Sequence, residues 1–237
     1  MTRTPLWTSI TETLAAEIAG GRRGPGDKLP SEAELSARFG VNRHTVRRAL
    51  AELAARGLVH ARRGAGVFVQ EGRPVDYPIG RRTRLSQNLA AAGREAGRLI
   101  LSMETRRANL AEAEALDLNP GAFVHAVEGI SLADGLPLGM FRSVLPADRF
   151  PGMLEVLRQT PSITEALRRQ GVEDYTRSDT RLTAKRATAT MALHLRLREG
   201  DPILRTVSIN VDDRGRPVEY GHTWFVGDRI TLTVTPD

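Results

Sequence analysis

From Trp7 onward, Ile10, Leu14 and Ile18 recur at four-residue spacing, the mark of one apolar helix face. Gly20, Gly21 and the run Gly24-Pro25-Gly26 stop that helix. Ser31 then sits where an N-cap belongs, Glu34 three residues on completes a capping box, and Pro30 blocks extension backwards. This short helix is expected to bury Leu35 and Phe39 and to end at Gly40. Asn42 caps a third helix running to about Arg56, with Gly57 as its stop. Val46, Leu50 and Leu53 share one face of it, while His44, Arg47 and Arg48 fall on the opposite arc. Arg43 and Thr45 occupy its exposed first turn. Residues 58–69 then read as strand, glycine turn and strand, with Arg62, Arg63, Gly64 and Gly66 at the turn.

Residues 71–83 interrupt the pattern with Gly72, Pro74, Pro78 and Gly80 among charged residues, which predicts a linker. The expected division is a head at 1–70, the linker at 71–83 and a second domain at 84–237. In the second domain Ser86 caps a helix over 87–92, a strand lies near 100–105, and a helix follows over 110–118. Strands at 123–132 and 136–145 flank an Asp134-Gly135 turn. Ser162 and Glu165 form a capping box for a helix that ends at Arg169. A strand at about 175–183, a helix at about 184–194 and strands at 203–211, 217–225 and 230–234 complete the pattern. Antiparallel hairpins interspersed with helices predict an α+β domain.

The second domain also repeats itself weakly. Leu116, Leu118, Gly121 and Val124 match Leu195, Leu197, Gly200 and Ile203 at one offset, and Ile130 and Leu132 match Ile209 and Val211. One inserted residue later, Gly135, Pro137 and Leu138 match Gly215, Pro217 and Val218. Either generic hairpins coincide, or two copies of a helix, a glycine turn and a hairpin pair into one sheet and leave a cleft.

Composition narrows the class. The 237 residues are 41% hydrophobic and 26% charged, which excludes disorder as the main state. No apolar run approaches the roughly 18 residues of a membrane span, and the N-terminus lacks the pattern of a secretory signal. A cytoplasmic protein with no membrane partner is expected. The absence of cysteine removes disulfides, thiol catalysis and thiolate metal sites. The five histidines, His44, His60, His125, His194 and His222, are scattered, and no phosphate loop or Gly-x-Ser-x-Gly is present. No metal, cofactor or catalytic residue is therefore expected.

Charge is uneven. Residues 1–75 hold 12 Arg and Lys against 7 Asp and Glu, whereas the rest holds 22 against 21. That asymmetry points to a polyanion, nucleic acid first. Arginines on one helix read equally well as a solvated face. The ordered set of helix, capped helix, basic helix and basic glycine hairpin is more specific, and predicts a winged helix-turn-helix whose third helix enters the major groove.

The strings Leu29-Pro-Ser-Glu-Ala-Glu-Leu, Phe39-Gly-Val-Asn-Arg-His-Thr-Val-Arg-Arg-Ala-Leu, Gly57-Leu-Val and Gly64-Ala-Gly-Val-Phe-Val resemble the head of GntR-family winged-helix regulators. The resemblance covers about 8–70. It implies that Asn42, Arg43, His44, Thr45 and Arg47 read bases and that Arg63 and Gly64 form a wing tip in the minor groove. Some members add an arginine contact from the second helix; Ala33 stands there in this chain. Arginine fits guanine O6 and N7 in two bonds, Arg48 adds positive charge, and Ser31 with the capped helix starts can hold phosphates.

Residues 82–235 resemble the UTRA effector domain of the HutC subfamily, which implies a chorismate-lyase-like α+β fold with an antiparallel sheet. The strings Arg84-Leu-Ser-Gln-Asn-Leu, Arg177-Ser-Asp-Thr-Arg-Leu-Thr-Ala-Lys-Arg-Ala and Pro217-Val-Glu-Tyr resemble the phosphonate-metabolism branch, the PhnF branch. That resemblance implies a homodimeric repressor of phosphonate uptake or breakdown genes, bound to double-stranded operator DNA and answering to a small phosphonate or phosphate-like anion. Sugar-phosphate-binding members carry two arginines on the strand before the first hairpin turn. Glu128-Gly129-Ile130-Ser131 stands here instead, so the ligand is smaller or held differently.

The residues themselves offer an anion site: Ser86 with the amides of Gln87 and Asn88, Ser178 with Arg181, and Arg142 after the first hairpin. Glu219 lies on one face of its strand, Tyr220 and His222 on the other. Each has a plainer reading. Ser86 is equally a simple cap, Arg142 and Arg181 equally form surface ion pairs, and Glu219 either meets a ligand hydroxyl or amine or pairs with an arginine. Two other readings remain at this point: a regulator answering to an amino acid or sugar phosphate, and a lyase-like enzyme built on Glu219, Tyr220 and His222.

Overall fold

The computed structural model describes residues 5–62, 64–70 and 74–234. Its contacts divide the chain into two units, Met1–Arg73 and Pro74–Asp237. In the first, α1 (Leu6–Ala19), α2 (Glu32–Phe39) and α3 (Arg43–Ala55) bury Ile10, Leu14, Leu35, Val46, Leu50 and Leu53 in one core. The Ser31 hydroxyl caps α2 by accepting the Glu34 amide, and the Glu34 carboxylate accepts the Ser31 amide at 2.7 Å. Asn42 caps α3, its Oδ1 accepting the Thr45 amide at 2.9 Å. β1 (Val59–Arg62) and β2 (Gly66–Val69) pair antiparallel with Arg62 opposite Gly66, and Val59 and Val69 close the helical core from the side.

The second unit runs β3 (Val75–Pro78), α4 (Leu85–Ala91), β4 (Ala96–Arg107), α5 (Leu110–Ala115), β5 (Phe123–Ala133) and β6 (Leu136–Pro146). It continues with α6 (Met153–Gln159), α7 (Ile163–Arg169), β7 (Thr176–Arg186), α8 (Ala189–Leu195), β8 (Pro202–Val211), β9 (Pro217–Val226) and β10 (Ile230–Thr233). Six strands form one antiparallel sheet in the order β4-β5-β6-β9-β8-β7. Val127, Phe141, Leu145 and Val218 on one face pack against Met153 and Leu157 of α6 and Ile163 and Leu167 of α7. The opposite face packs Val124 and Val144 against Leu116 at the end of α5.

The sheet order makes the internal repeat structural. β4-α5-β5-β6 and β7-α8-β8-β9 are two copies whose last strands meet at the centre. Equivalent positions share unusual backbone: φ is 53° at Asp117 and 54° at Arg196, 83° at Gly121 and 86° at Gly200. Left-handed conformation at two non-glycine residues is uncommon, so its recurrence at one offset argues for a shared local fold.

Several expected elements are corrected. Residues 75–78, assigned to the linker, form β3, which pairs in parallel with β10 and buries Val75 and Tyr77. Its alternating apolar residues are flanked by Pro74 and Pro78, which drew the eye to a linker. Ser86 is not a cap: α4 begins at Leu85, Arg84 holds the N-cap position, and no side chain bonds that end. The box at Ser162 is half made, because the Glu165 carboxylate turns to Arg168 and Arg169 instead. The helix expected from 184 begins at Ala189, capped by Thr188, because 184–186 are drawn into β7 by pairing with Ile203 and Leu204 of β8. α6 was not expected at all.

Candidate functional site

The outward arc of α3 carries three exposed arginines, Arg43, Arg47 and Arg48. Asn42, Arg43, His44, Arg47 and Arg48 are exposed and Thr45 is half-buried. Among the described residues, nothing bonds the Arg43 guanidinium or the His44 ring. Arg47 holds Glu32 of α2 through Nε at 2.8–2.9 Å. Arg48 stacks over the Trp7 ring at 4.5 Å, a contact within the head. Thr45 and Asn42 are tied to each other, because the Thr45 hydroxyl donates to Asn42 Oδ1 at 2.9 Å. The Ser31 hydroxyl donates to the Glu34 carboxylate at 2.7 Å. Gly64, at φ 74°, turns the hairpin where a β-carbon would be strained. Arg63 lies outside the described residues. Lys28 adds a cation that the sequence did not single out: its stem lies against Gly66, where a β-carbon would come within 2.9 Å of it.

In the second unit, the α6–α7 face of the sheet encloses a cavity of about 80 Å³. Its wall combines Arg84, Arg98 and Arg177 with Glu219, Tyr77, Tyr175 and hydroxyls from Ser131, Ser143, Thr164 and Ser208. Arg98 of β4 stacks over Phe141 at 4.5 Å, and no described residue accepts a hydrogen bond from it. Burial pulls its guanidinium below the ordinary value, and the Glu219 carboxylate opposes that. Arg84 reaches Asp174 and stacks over Tyr175 at 4.9 Å, yet its Nε is buried without a partner. Arg177 Nε makes only a long contact of 3.5 Å to Asn210. Glu219 accepts from Ser143 Oγ and from Asn210 Nδ2. Burial pushes the Tyr77 hydroxyl up to about 12, so it remains a neutral donor. Arg98 faces Ser131 across the β4–β5 pair. A positive charge absent from β5 before the hairpin turn thus stands on its neighbour β4.

Residues 6–69 match the bacterial regulatory proteins of the gntR family, and residues 91–231 match the UTRA domain. The uncharacterized HTH-type transcriptional regulator RB1450 of Rhizobium meliloti is 40% identical over 229 residues, 97% of this chain and 94% of that protein. The chain belongs to the GntR family, in its HutC type. Among its relatives, the probable transcriptional regulator PhnF of Escherichia coli is 33% identical over 210 residues, 88% of this chain and 86% of its own. The crystal structure of PhnF from Mycobacterium smegmatis matches with a TM-score of 0.64 at 28% identity, covering 96% of this chain and 98% of that one.

The UTRA domain does not gather the effector residues expected from sequence into one place. Glu219 and His222 border the cavity, although the His222 ring stacks on Trp224 and meets Tyr220 edge-on. Burial, then Arg205 and Arg142, push that ring down to about 4, so it is neutral near pH 7. Arg142 pairs with Glu128, and Arg181 pairs with Asp179. Arg181 and Tyr220 line a separate groove beside α5. Ser178 donates to the Ile209 carbonyl at 3.1 Å, at a β-bulge between Arg177 and Asp179. Ser86 borders an adjoining groove with Arg98 and Ser162, Gln87 is exposed, and Asn88 donates to the Pro78 carbonyl. Arg142, Ser178, Arg181 and Tyr220 lie off the cavity wall that holds Glu219, because strand alternation and the bulge send them elsewhere. Arg84 and Arg177 stood inside the strings that carried the UTRA resemblance. Arg98 had no signal, since its neighbours show no clean alternation. Asn210 was legible only through the β8–β9 register that sets it opposite Glu219.

Proposed function

We propose that this GntR regulator is a homodimeric repressor of phosphonate uptake or breakdown genes, released from operator DNA by a small phosphonate or phosphate-like anion. The observation that carries the effector half is Arg98: a half-buried guanidinium in a cavity wall with no acceptor among the described residues. A guanidinium offers five donors in a fixed fork that matches phosphonate oxygens. Arg84 and Arg177 add positive charge around the same space. Size favours a small ligand. The space along this wall, about 80 Å³, suits a small anion. The names of the two PhnF relatives agree with this reading.

On DNA, Arg43, His44 and Arg47 at the start of α3 meet base edges, with Asn42 and Thr45 shaping that first turn. Ser31, Arg48, Arg63 and Gly64 meet the backbone or the minor groove. Two heads related by a two-fold axis take the two halves of a short palindrome. A coupling of about 1–3 kcal/mol between cavity and head, 5–150-fold in affinity, is enough to release DNA. The test is a gel shift of the full chain on its own upstream region with alkylphosphonates added. Loss of the shifted band at phosphonate concentrations that leave a random duplex unaffected supports the reading. A band insensitive to every phosphonate and to phosphate contradicts it.

A further inference from the structure

We infer that the effector carries an ammonium group as well as an acidic one, so that it is a short aminoalkylphosphonate rather than a plain phosphonate or inorganic phosphate. This rests on the effector reading of the cavity given above and narrows it.

The observation is Glu219. Four carboxylates are buried among the described residues: Glu17, Glu112, Asp212 and Glu219. Glu17 is ion-paired with Arg38 and Arg23, Glu112 with Arg106, and Asp212 with Arg149 and Arg216. Glu219, 8% exposed, has no such partner among the described residues. Each of its oxygens takes one neutral donor, from Ser143 and from Asn210. A carboxylate has about four acceptor sites, so half of its capacity is open. Burying an anion without a counter-charge is costly. Yet Arg98, with no acceptor among the described residues, borders the same small space and makes no hydrogen bond to Glu219.

Arg98 and Glu219 thus border one space and act on each other only through it, with no ion pair or hydrogen bond between them and bonding sites open on each among the described residues. A ligand of one sign would engage one of them and leave the other's sites open. A ligand with both signs answers both: its phosphonate takes the Arg98 fork with Arg84 and Arg177, and its ammonium donates to the open sites of Glu219. Aminoethylphosphonate carries both groups on a two-carbon spacer and is a small ligand of this kind.

The test is calorimetric titration of the full chain with aminoethylphosphonate, hydroxyethylphosphonate, ethylphosphonate and ethylamine. Aminoethylphosphonate is expected to bind at least about tenfold more tightly than the hydroxyl and ethyl analogues, with ethylamine silent. Glu219→Gln keeps the side chain's shape, and is expected to hold ethylphosphonate within about threefold of wild type while erasing the amine's advantage. If that variant fails to fold, the wild-type ligand series still decides. Equal binding of the ethyl and aminoethyl compounds overturns the inference and leaves the phosphonate reading standing. No binding by any of the three phosphonates overturns the inference, and with inorganic phosphate silent as well it overturns the effector reading too.

Discussion

The two units of this chain use arginine in opposite ways. The head turns Arg43, Arg47 and Arg48 outward into water along one helix, where they cost little to keep charged. The UTRA domain turns Arg84, Arg98 and Arg177 toward a small cavity, where desolvation opposes the charge of Arg98, which has no acceptor among the described residues. An exposed row of cations suits a long polyanion bound through many weak, salt-sensitive contacts. A half-buried cluster suits one small anion held by few strong bonds. The same residue type therefore marks two different ligands, and burial tells them apart.

Salt is the sharpest way to break this contrast. Between 50 and 200 mM salt, operator affinity is expected to fall about 10³-fold or more if six or more phosphates are neutralised. Effector affinity, set by buried charges, is expected to change less than about threefold over the same range. Parallel slopes in the two titrations would erase the distinction. Arg98→Ala sharpens it from the other side. It removes a charge-assisted contact worth about 1.5–3 kcal/mol, so effector affinity should drop roughly tenfold to a hundredfold while DNA affinity in the absence of ligand stays put. A weakened DNA complex would mean that Arg98 acts on the fold rather than on the ligand.

Within the head, Arg43→Ala should lose about 1–3 kcal/mol of discrimination at one base pair and blur the footprint there. Arg62→Ala should weaken all duplexes alike and lower the salt slope by about one. Identical footprints for wild type and Arg43→Ala would place base reading elsewhere. The smallest expected effect is Ser31→Ala, which opens the α2 capping box at a cost of about 1 kcal/mol. Melting of the head should fall by about 4–8 °C, and effector affinity should not move.

The head was legible because its information is local. Caps, stops and apolar spacing lie within a few residues of one another, so Ser31 with Glu34, and Asn42 with Thr45, could be read directly. The α+β architecture and the repeat were legible for a related reason, since hairpins keep partners close in sequence. The cavity was not. Arg98, Asn210 and Glu219 stand on three strands and meet only through the register of a six-stranded sheet, which bulges near Arg177 and Asn210 shift. A slip of one residue exchanges the faces of a strand, which is why Arg142 and Arg181, plausible by type, face away from the cavity. β3 was hidden by its flanking prolines, and its parallel partner lies some 150 residues away.

The most direct test of the account is competitive DNA binding by the full chain at about 150 mM salt, where non-specific contacts are weak. Its own upstream region should be retained against a large excess of random duplex, with protection spaced as two half-sites. Equal loss of specific and random duplex would contradict the assignment of α3 and the β1–β2 hairpin as a reading edge.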